Sequence, residues 1–330
     1  MEISTSNLFD TNSDIDVKED YTNFFTFELY ENAYNSIEEK DRMKIVIPSY
    51  NNFNSSTLHL LETSKLKWPI DVIVRKSQEE KYKNLYPIAN IIGIEDELIN
   101  SGTKAKKYIF ENYSGNIFQF DDDLEKISFC YPGYTDKGKL KTYIQKYTDP
   151  IKIIAMWQLI HMKIIENFNF CWSTTPSRDL YVWSYDITST NIDLAVNSPP
   201  SSIFAVNLDI LKSNDVHMDE EISADDICTY WLALDKGLWP AQIKLISCEL
   251  GKPRLEHYGK GCNTLQERFK MQSDELFAKY SFPWSKRKNH KSFGEFYATD
   301  TGVMRKHLLT LGTYPIISKI DYNKLVRGEL

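Results

Sequence analysis

Several features that would narrow the chemistry of this chain at once are missing from it. Five cysteines lie far apart at positions 130, 171, 228, 248 and 262 of 330 residues, and no two form a C-x-x-C pair. No Cys/His spacing suits structural zinc either, so free, mostly buried thiols in a reducing compartment are expected. The sequence does not open with a basic segment followed by an apolar run, and no stretch approaches the ~18 apolar residues of a membrane span. A soluble, cytoplasmic protein without a membrane partner is the expectation. Internal repeats and low-complexity tracts are absent, which excludes solenoid and array architectures. Charge of one sign is scarce over most of the length. The net charge of −7 arises in residues 1–43, which hold 11 acidic and 3 basic residues, a balance of −8. The remainder holds 35 acidic and 36 basic residues, a balance of +1. A neutral body neither demands nor forbids a polyanionic partner.

What is present is an ordinary globular composition, 42% hydrophobic and 26% charged, on a chain long enough to bury a large core. The aromatic share of 13% is high. It fits stacking on carbohydrate or bases, and it fits a large core equally well.

The organisation reads in three parts. Residues 1–43 form an acidic N-terminal extension, in which Phe24 to Tyr30 is apolar enough to dock on the main domain. Residues 44–265 form that main domain, and 266–330 a basic and aromatic C-terminal extension packed on it. From Lys44 on, β-branched runs alternate with helical stretches. Lys44–Ile47, Asp71–Val74, Asn90–Ile94 and Asn116–Phe120 read as buried strands. Thr57–Thr63, Gln78–Asn84 and Thr103–Asn112 read as the helices between them. This alternation predicts a parallel, doubly wound α/β sheet with helices on both faces. Further on, Ile151–Asn167, Ser223–Lys236 and Phe269–Tyr280 read as helices. Asp179–Asn191, Ser201–Asn207 and Ala241–Cys248 have strand character. Ligands of such sheets bind beyond the carboxyl ends of the strands. Both Pro48-Ser49-Tyr50-Asn51 and Asp121-Asp122-Asp123 fall at such ends.

Three adjacent carboxylates repel one another and gain little from burial without a cation. At a strand end side chains alternate, so Asp121 and Asp123 are expected to project to one side, where they can hold Mg²⁺ or Mn²⁺, which would also take diphosphate oxygens. An acidic turn is the plain alternative. Pro48, Ser49, Tyr50 and Asn51 offer amides, a hydroxyl and a ring for a nucleobase or ribose, or else make an ordinary strand-to-helix turn. Asp225 and Asp226 lie in an acidic run before an amphipathic helix, where the helix dipole favours carboxylates in any case. Lys260, between two glycines, is placed to close over a diphosphate. Lys286, Arg287 and Lys288 form a basic run beside Trp284, a pattern suited to phosphate and base contacts or to a solvated surface. Trp172, Arg178 and Trp183 lie in an aromatic stretch that can shape an acceptor pocket or belong to the core.

Lys44-Ile-Val-Ile-Pro-Ser-Tyr-Asn51, followed downstream by Ile-Phe-Gln-Phe-Asp-Asp-Asp123, resembles glycosyltransferases of the GT-A fold. Among them it looks most like the TET/JBP-associated glycosyltransferases of bacteriophages and kinetoplastids, which modify hydroxymethylated DNA bases. Val72-Ile-Val74, Glu79-Glu80-Lys81-Tyr82, Gly93-Ile94 and the basic helix with Lys104 and Lys106 agree with that pattern, although Lys106-Lys107 stands where the family has Arg-Asn. The resemblance covers residues 44–130 well and 200–265 loosely. It implies a Rossmann-like GT-A domain and a nucleotide-sugar donor, most simply a UDP-sugar, contacted by Pro48, Ser49, Tyr50, Asn51, Lys104, Asp121, Asp122 and Lys260. It implies a Mn²⁺ or Mg²⁺ ion on Asp121, Asp123 and His257, and Asp225 or Asp226 as general base of an inverting hexosyl or pentosyl transfer. DNA carrying 5-hydroxymethylcytosine or a related pyrimidine is the implied acceptor, in the host cytoplasm if the chain is phage-encoded. Trp172, Arg178, Trp183, Lys286, Arg287 and Lys288 are its candidate contacts, and no obligate protein partner is implied. The alternative is a glycan, lipid or protein acceptor on the same fold. A nucleotidyltransferase would carry a glycine-rich basic loop after the first strand, and Pro48 to Asn54 contains no glycine. A non-catalytic binding protein would not be expected to keep aspartates at both motifs.

Overall fold

The computed structural model describes residues 27–134, 140–167, 170–175, 194–196, 202–222, 225–243, 246–251, 265–280, 284–290 and 294–299. Helix α1 (Phe27–Asn32) and two short 3-10 turns lead into β1 (Lys44–Pro48). Next come α2 (Ser56–Thr63), β2 (Ile70–Arg75), α3 (Glu79–Leu85), β3 (Asn90–Ile94), α4 (Gly102–Asn112) and β4 (Asn116–Phe120). A long pair, β5 (Leu124–Tyr134) and β6 (Leu140–Tyr147), precedes α5 (Pro150–Asn167), β7 (Phe170–Thr174), β8 (Leu194–Val196) and β9 (Ile203–Asn207). The chain continues through α6 (Leu208–Ser213), α7 (Asp225–Asp235), β10 (Trp239–Ile243), β11 (Ile246–Leu250) and α8 (Leu265–Lys279) to β12 (Trp284–His290) and β13 (Gly294–Thr299).

Eight strands form the main sheet in the order β3-β2-β1-β4-β9-β7-β10-β8. The first four are mutually parallel, and β9 runs antiparallel between β4 and β7. This is the α/β, Rossmann-like architecture that the strand–helix alternation predicts. β1 lies between two partners with four of its five residues buried, which is why it reads as an uninterrupted β-branched run. Pro48, lacking an N–H, closes it.

Alternation along β4 shows how the layers are filled. Phe118 and Phe120 stack against Trp157 of α5 on one face. Gln119, pointing the other way, lines a cavity with residues of α4, α6 and α7. Helices therefore cover both faces. Each helix start is signalled locally. The side chains of Ser55, Ser101 and Asn207 accept the backbone N–H of Leu58, Lys104 and Ile210, capping α2, α4 and α6.

The segment ahead of β1 belongs to the same core. Tyr30, Ala33 and Ile37 are buried within it, and Gln158 of α5 bonds the Met43 N–H, the Trp68 indole and the Asp41 carbonyl. Arg42 lies over the rings of Tyr34 and Trp68. Two features differ from the sequence expectation. Ala241–Cys248 is not one strand, because β10 stays in the main sheet and β11 leaves it to pair with β5. Strands β11, β5 and β6 make a separate three-stranded sheet. The basic C-terminal region contributes a hairpin, β12–β13.

Candidate active site

Strands β1 and β4 end side by side, and the polar residues after them interlock. Ser49 is 5% exposed. The Asn52 N–H donates to the Tyr82 hydroxyl oxygen (2.9 Å), and Ser49 gives its proton to the Asp122 carboxylate. Each hydroxyl has one proton, so Tyr82 must donate to Ser49 Oγ across their 2.8 Å contact. Burial pushes the Tyr82 phenol up to about 12, against the Ser49 hydrogen bond. The backbone is clamped as firmly. Thr57 Oγ1 donates to the Asp121 carbonyl (2.6 Å), while Asn52 Nδ2 (3.0 Å) and Ser55 Oγ (2.8 Å) donate to that of Asp122. The Asp121 N–H reaches the Ser202 carbonyl, and the Gly251 N–H reaches the Asp123 carbonyl, both at 2.7 Å.

The three aspartates thus form a turn after β4 rather than its last residues, and strand alternation does not govern them. Asp122 points into the Ser49–Tyr82 relay. Asp121 points to Lys106 of α4. Asn51 adopts φ of 52° and exchanges hydrogen bonds with Gln78. The Arg75 guanidinium stands 4.2 Å over the ring of Tyr50.

The second half of the site is a cluster of charges around Lys106. Its Nζ lies 3.6 Å from Asp121 Oδ1 and 3.5 Å from Asp225 Oδ2. The side chains of Lys106, Asp121 and Asp225 are 19%, 28% and 11% exposed, so these charges are largely desolvated. Burial opposes the charge on Lys106, yet Asp121, Asp225 and Asp226 together raise its pKa above the usual lysine value. Burial likewise raises Asp121, with Lys106 acting against the shift. Asp226 is pushed up to about 6, by burial first and by Asp225 second. The helix start favours both carboxylates, and the Ile227 N–H donates to Asp226 Oδ1 (2.9 Å).

Behind Lys106 lies a cavity of about 30 Å³, lined by Phe110, Trp172, Phe204 and Met218 among others. Gln119 Nε2 and Thr229 Oγ1 border it without a protein partner among the described residues. That volume and those two groups suit about one or two waters. Trp172 is 1% exposed and packs on Tyr230, so its place is in the core.

Of the residues selected from sequence, Asp121, Asp225 and Asp226 are gathered around Lys106. Ser49, Asn51 and Asp122 form the adjoining polar turn, and Asp123 completes it. Lys104 lies one turn from the Ser101 cap of α4. Lys286, Arg287 and Lys288 lie on β12. Arg178, Trp183, His257 and Lys260 fall outside the described residues. Among the described residues, no three His, Cys, Asp or Glu side chains are grouped to hold a metal ion. No helix among them is long and apolar enough to cross a membrane. Cys171, Cys228 and Cys248 are buried and form no disulfide among the described residues.

Lys106 is the residue that the sequence selection missed. A signal was available. Residues three and four further on, Ile109 and Phe110, are buried, so Lys106 shares the inward stripe of its helix.

No protein-family model matches the chain, and no curated protein matches it. Solved structures resemble it at the level of chain trace. The mannosyltransferase PcManGT from Pyrobaculum calidifontis, in complex with GDP-Man and Mn²⁺, is 10% identical, with 91% of this chain and 80% of that one covered at a TM-score of 0.45. A CMP:2-keto-3-deoxy-manno-octonic acid synthetase complexed with CTP is 9% identical, covering 65% and 92% at 0.37. The 4-diphosphocytidyl-2C-methyl-D-erythritol synthase of Anaerococcus prevotii is 10% identical, covering 72% and 98% at 0.35. The fold assignment rests on the strand order and register given above.

Proposed function

We propose that this chain is a metal-dependent glycosyltransferase of the GT-A type, moving a sugar from a nucleoside diphosphate to an acceptor hydroxyl. The observation that carries the reading is the meeting of two acidic motifs, far apart in sequence, on one partly buried lysine near the carboxyl ends of the parallel strands. Ligands of this architecture bind at that end. Desolvated carboxylates held in excess of their counter-charge are also where perturbed protonation serves chemistry.

The donor set fits a divalent ion that arrives with its substrate. Asp121 and Asp123 supply two carboxylates. Magnesium-type sites usually combine one or two carboxylates with substrate phosphates and water, rather than a complete protein cage. Asp121 meets Lys106 at 3.6 Å, longer than a hydrogen bond, and so keeps lone pairs for a cation. When bound, the ion would offset negative charge on the departing diphosphate.

The protein's own residues then have distinct tasks. The clamped turn of Ser49, Asn52, Ser55 and Thr57 fixes where Asp121 and Asp123 stand. Tyr50 and Asn51 face the position of the base and ribose. The Asp225–Asp226 pair takes the acceptor proton. Asp225 is held by Lys106, and Asp226, raised to about 6, is largely ionised at neutral pH and can accept a proton. Attack opposite the leaving group inverts the anomeric centre.

For the acceptor we propose a 5-hydroxymethylated pyrimidine in DNA, supported by the sequence resemblance and by the basic run on β12. A base in duplex DNA would have to leave the stack first, at about a few kcal/mol. The test is incubation with a panel of nucleotide-sugars and Mn²⁺ on hydroxymethylcytosine, hydroxymethyluracil and unmodified DNA, read by mass spectrometry of the digested nucleosides. A hexose or pentose mass on a hydroxymethylated nucleoside alone is the expected result. Metal-dependent donor consumption without a DNA product would move the acceptor to a glycan, lipid or protein. No donor consumption at all would refute the reading.

A further inference from the structure

Helix α8 is joined to the site by contacts that belong to neither the sheet nor the main core. Ile222, Cys228 and Leu276 form a small hydrophobic cluster of their own, flanked by Ile227, Leu232 and Tyr280. It ties α8 to α7 and to the loop before it. Satellite clusters of this kind commonly sit under loops.

Beside it lies a polar knot on Asp219, itself 7% exposed. Asp219 Oδ2 accepts the Tyr280 hydroxyl (2.5 Å) and pairs with Lys279 Nζ (2.7 Å), while Oδ1 accepts the Glu221 N–H (3.0 Å). Lys279 also reaches Glu221 Oε2 at 2.7 Å. The loop is therefore fixed along its length. Val216 and Met218 are buried in the main core, Asp219 is held by the end of α8, and Ile222 enters the satellite cluster. A few residues later the chain reaches Asp225 and Asp226. Strand β13 also packs on this helix.

We propose that Asp219, Lys279 and Tyr280 form a latch through which α8 sets the position of the Asp225–Asp226 helix start. On this inference, which rests on the transferase reading above, Asp219 is a positioning residue and touches no substrate. A charge-assisted knot is stiff enough for the task, because Asp219 accepts from three groups and two of those contacts are short. Small displacements of a base cost rate more than they cost binding.

The test compares Asp219→Ala, Asp219→Asn and Tyr280→Phe with Met43→Ala, which loosens the main core ahead of β1 and serves as a control for general destabilisation. Transfer kinetics and hydrogen exchange across residues 216–228 are measured on the full chain. Asp219→Ala should lower kcat by about tenfold while leaving donor affinity within about twofold, because the interaction lost bears on the transition state. Asp219→Asn should recover part of that loss, since its amide oxygen still accepts a hydrogen bond. Exchange at 216–228 should rise in Asp219→Ala and stay unchanged in Met43→Ala. Unchanged exchange in Asp219→Ala would overturn the latch. Faster exchange with unchanged kcat, or a kcat loss matched by Met43→Ala at equal melting temperature, would overturn its positioning role. If the wild-type protein transfers no sugar to any acceptor, the transferase reading fails, and with it the positioning role. Exchange then decides the latch alone.

Discussion

Two groups of residues flank the turn after β4, and they are built on opposite terms. Around Asp122, every proton has a taker. Asn52, Tyr82 and Ser49 hand hydrogen bonds in sequence to one carboxylate, and Thr57, Asn52 and Ser55 satisfy the carbonyls of the turn. Around Lys106, three carboxylates face one ammonium in a largely desolvated setting. The first arrangement has what a scaffold needs, a connected set of hydrogen bonds that fixes the turn. The second, among the described residues, holds more negative than positive charge, which costs stability. The Asp-Asp-Asp motif is therefore divided: Asp122 is taken up by the polar turn, and Asp121 faces Lys106.

The sharpest way to break this contrast is to remove Lys106, the cation that Asp121 and Asp225 share among the described residues. Lys106→Met should destabilise the protein at pH 7 by about 3 kcal/mol, the low end for breaking a buried pair because each side chain keeps some solvent contact. The loss should shrink below about pH 5, where the carboxylates take up protons. Denaturant melts at both pH values measure it, and a loss equal at pH 7 and pH 4 would show that charge is not its origin.

Asp226→Asn should act in the opposite direction. Its folded pKa of about 6 lies above that of an unfolded aspartate, so ionising it disfavours the fold. The wild-type benefit is complete below the unfolded value of about 4 and is lost as pH rises through about 6. The neutral variant should therefore be more stable than wild type by about 1–3 kcal/mol at pH 7 and equal to it near pH 4, judged from the shift and its burial. The same variant should transfer sugar far more slowly, which is the trade expected of a functional charge. If this carboxylate is the base, wild-type transfer should rise with pH through about 6.

Ser49→Ala bears on the scaffold side. It removes a donor to Asp122 and an acceptor for Tyr82, and should cost about 1–2 kcal/mol. That loss should be nearly the same from pH 6 to pH 8, because the Tyr82 phenol, pushed up to about 12 by burial, keeps its proton throughout. A strong pH dependence in this range would dissolve the distinction between the two groups.

The sequence exposes the scaffold far better than the charge cluster. Lys44–Pro48, Ile70–Arg75, Asn90–Ile94 and Asn116–Phe120 are buried parallel strands, and their β-branched runs announce them without tertiary information. Asp121 and Asp225 were visible as residues of interest, because acidic runs at a strand end and a helix start are conspicuous. That they share Lys106 was not visible, since the contact joins distant segments through a helix face. The closed role of Asp122 was equally hidden, because it depends on Tyr82 reaching Ser49 from α3. Strands β5 and β6 went unread for another reason. A peripheral sheet with mixed polarity lacks the continuous apolar run that marks a central strand. At Ala241–Ile246 the apolar character runs on while the chain changes sheets, so composition cannot reveal the break.

The most direct measurement is the melting temperature with Mn²⁺ alone, with a panel of nucleoside diphosphates alone, and with both together, in wild type and in Asp123→Asn. The proposed metal and diphosphate site predicts a rise of several degrees only when both are present at saturating concentration, as binding to the folded state requires. The rise should vanish in Asp123→Asn. No shift with any pairing, or an equal shift in the variant, would contradict a metal–nucleotide site at this turn.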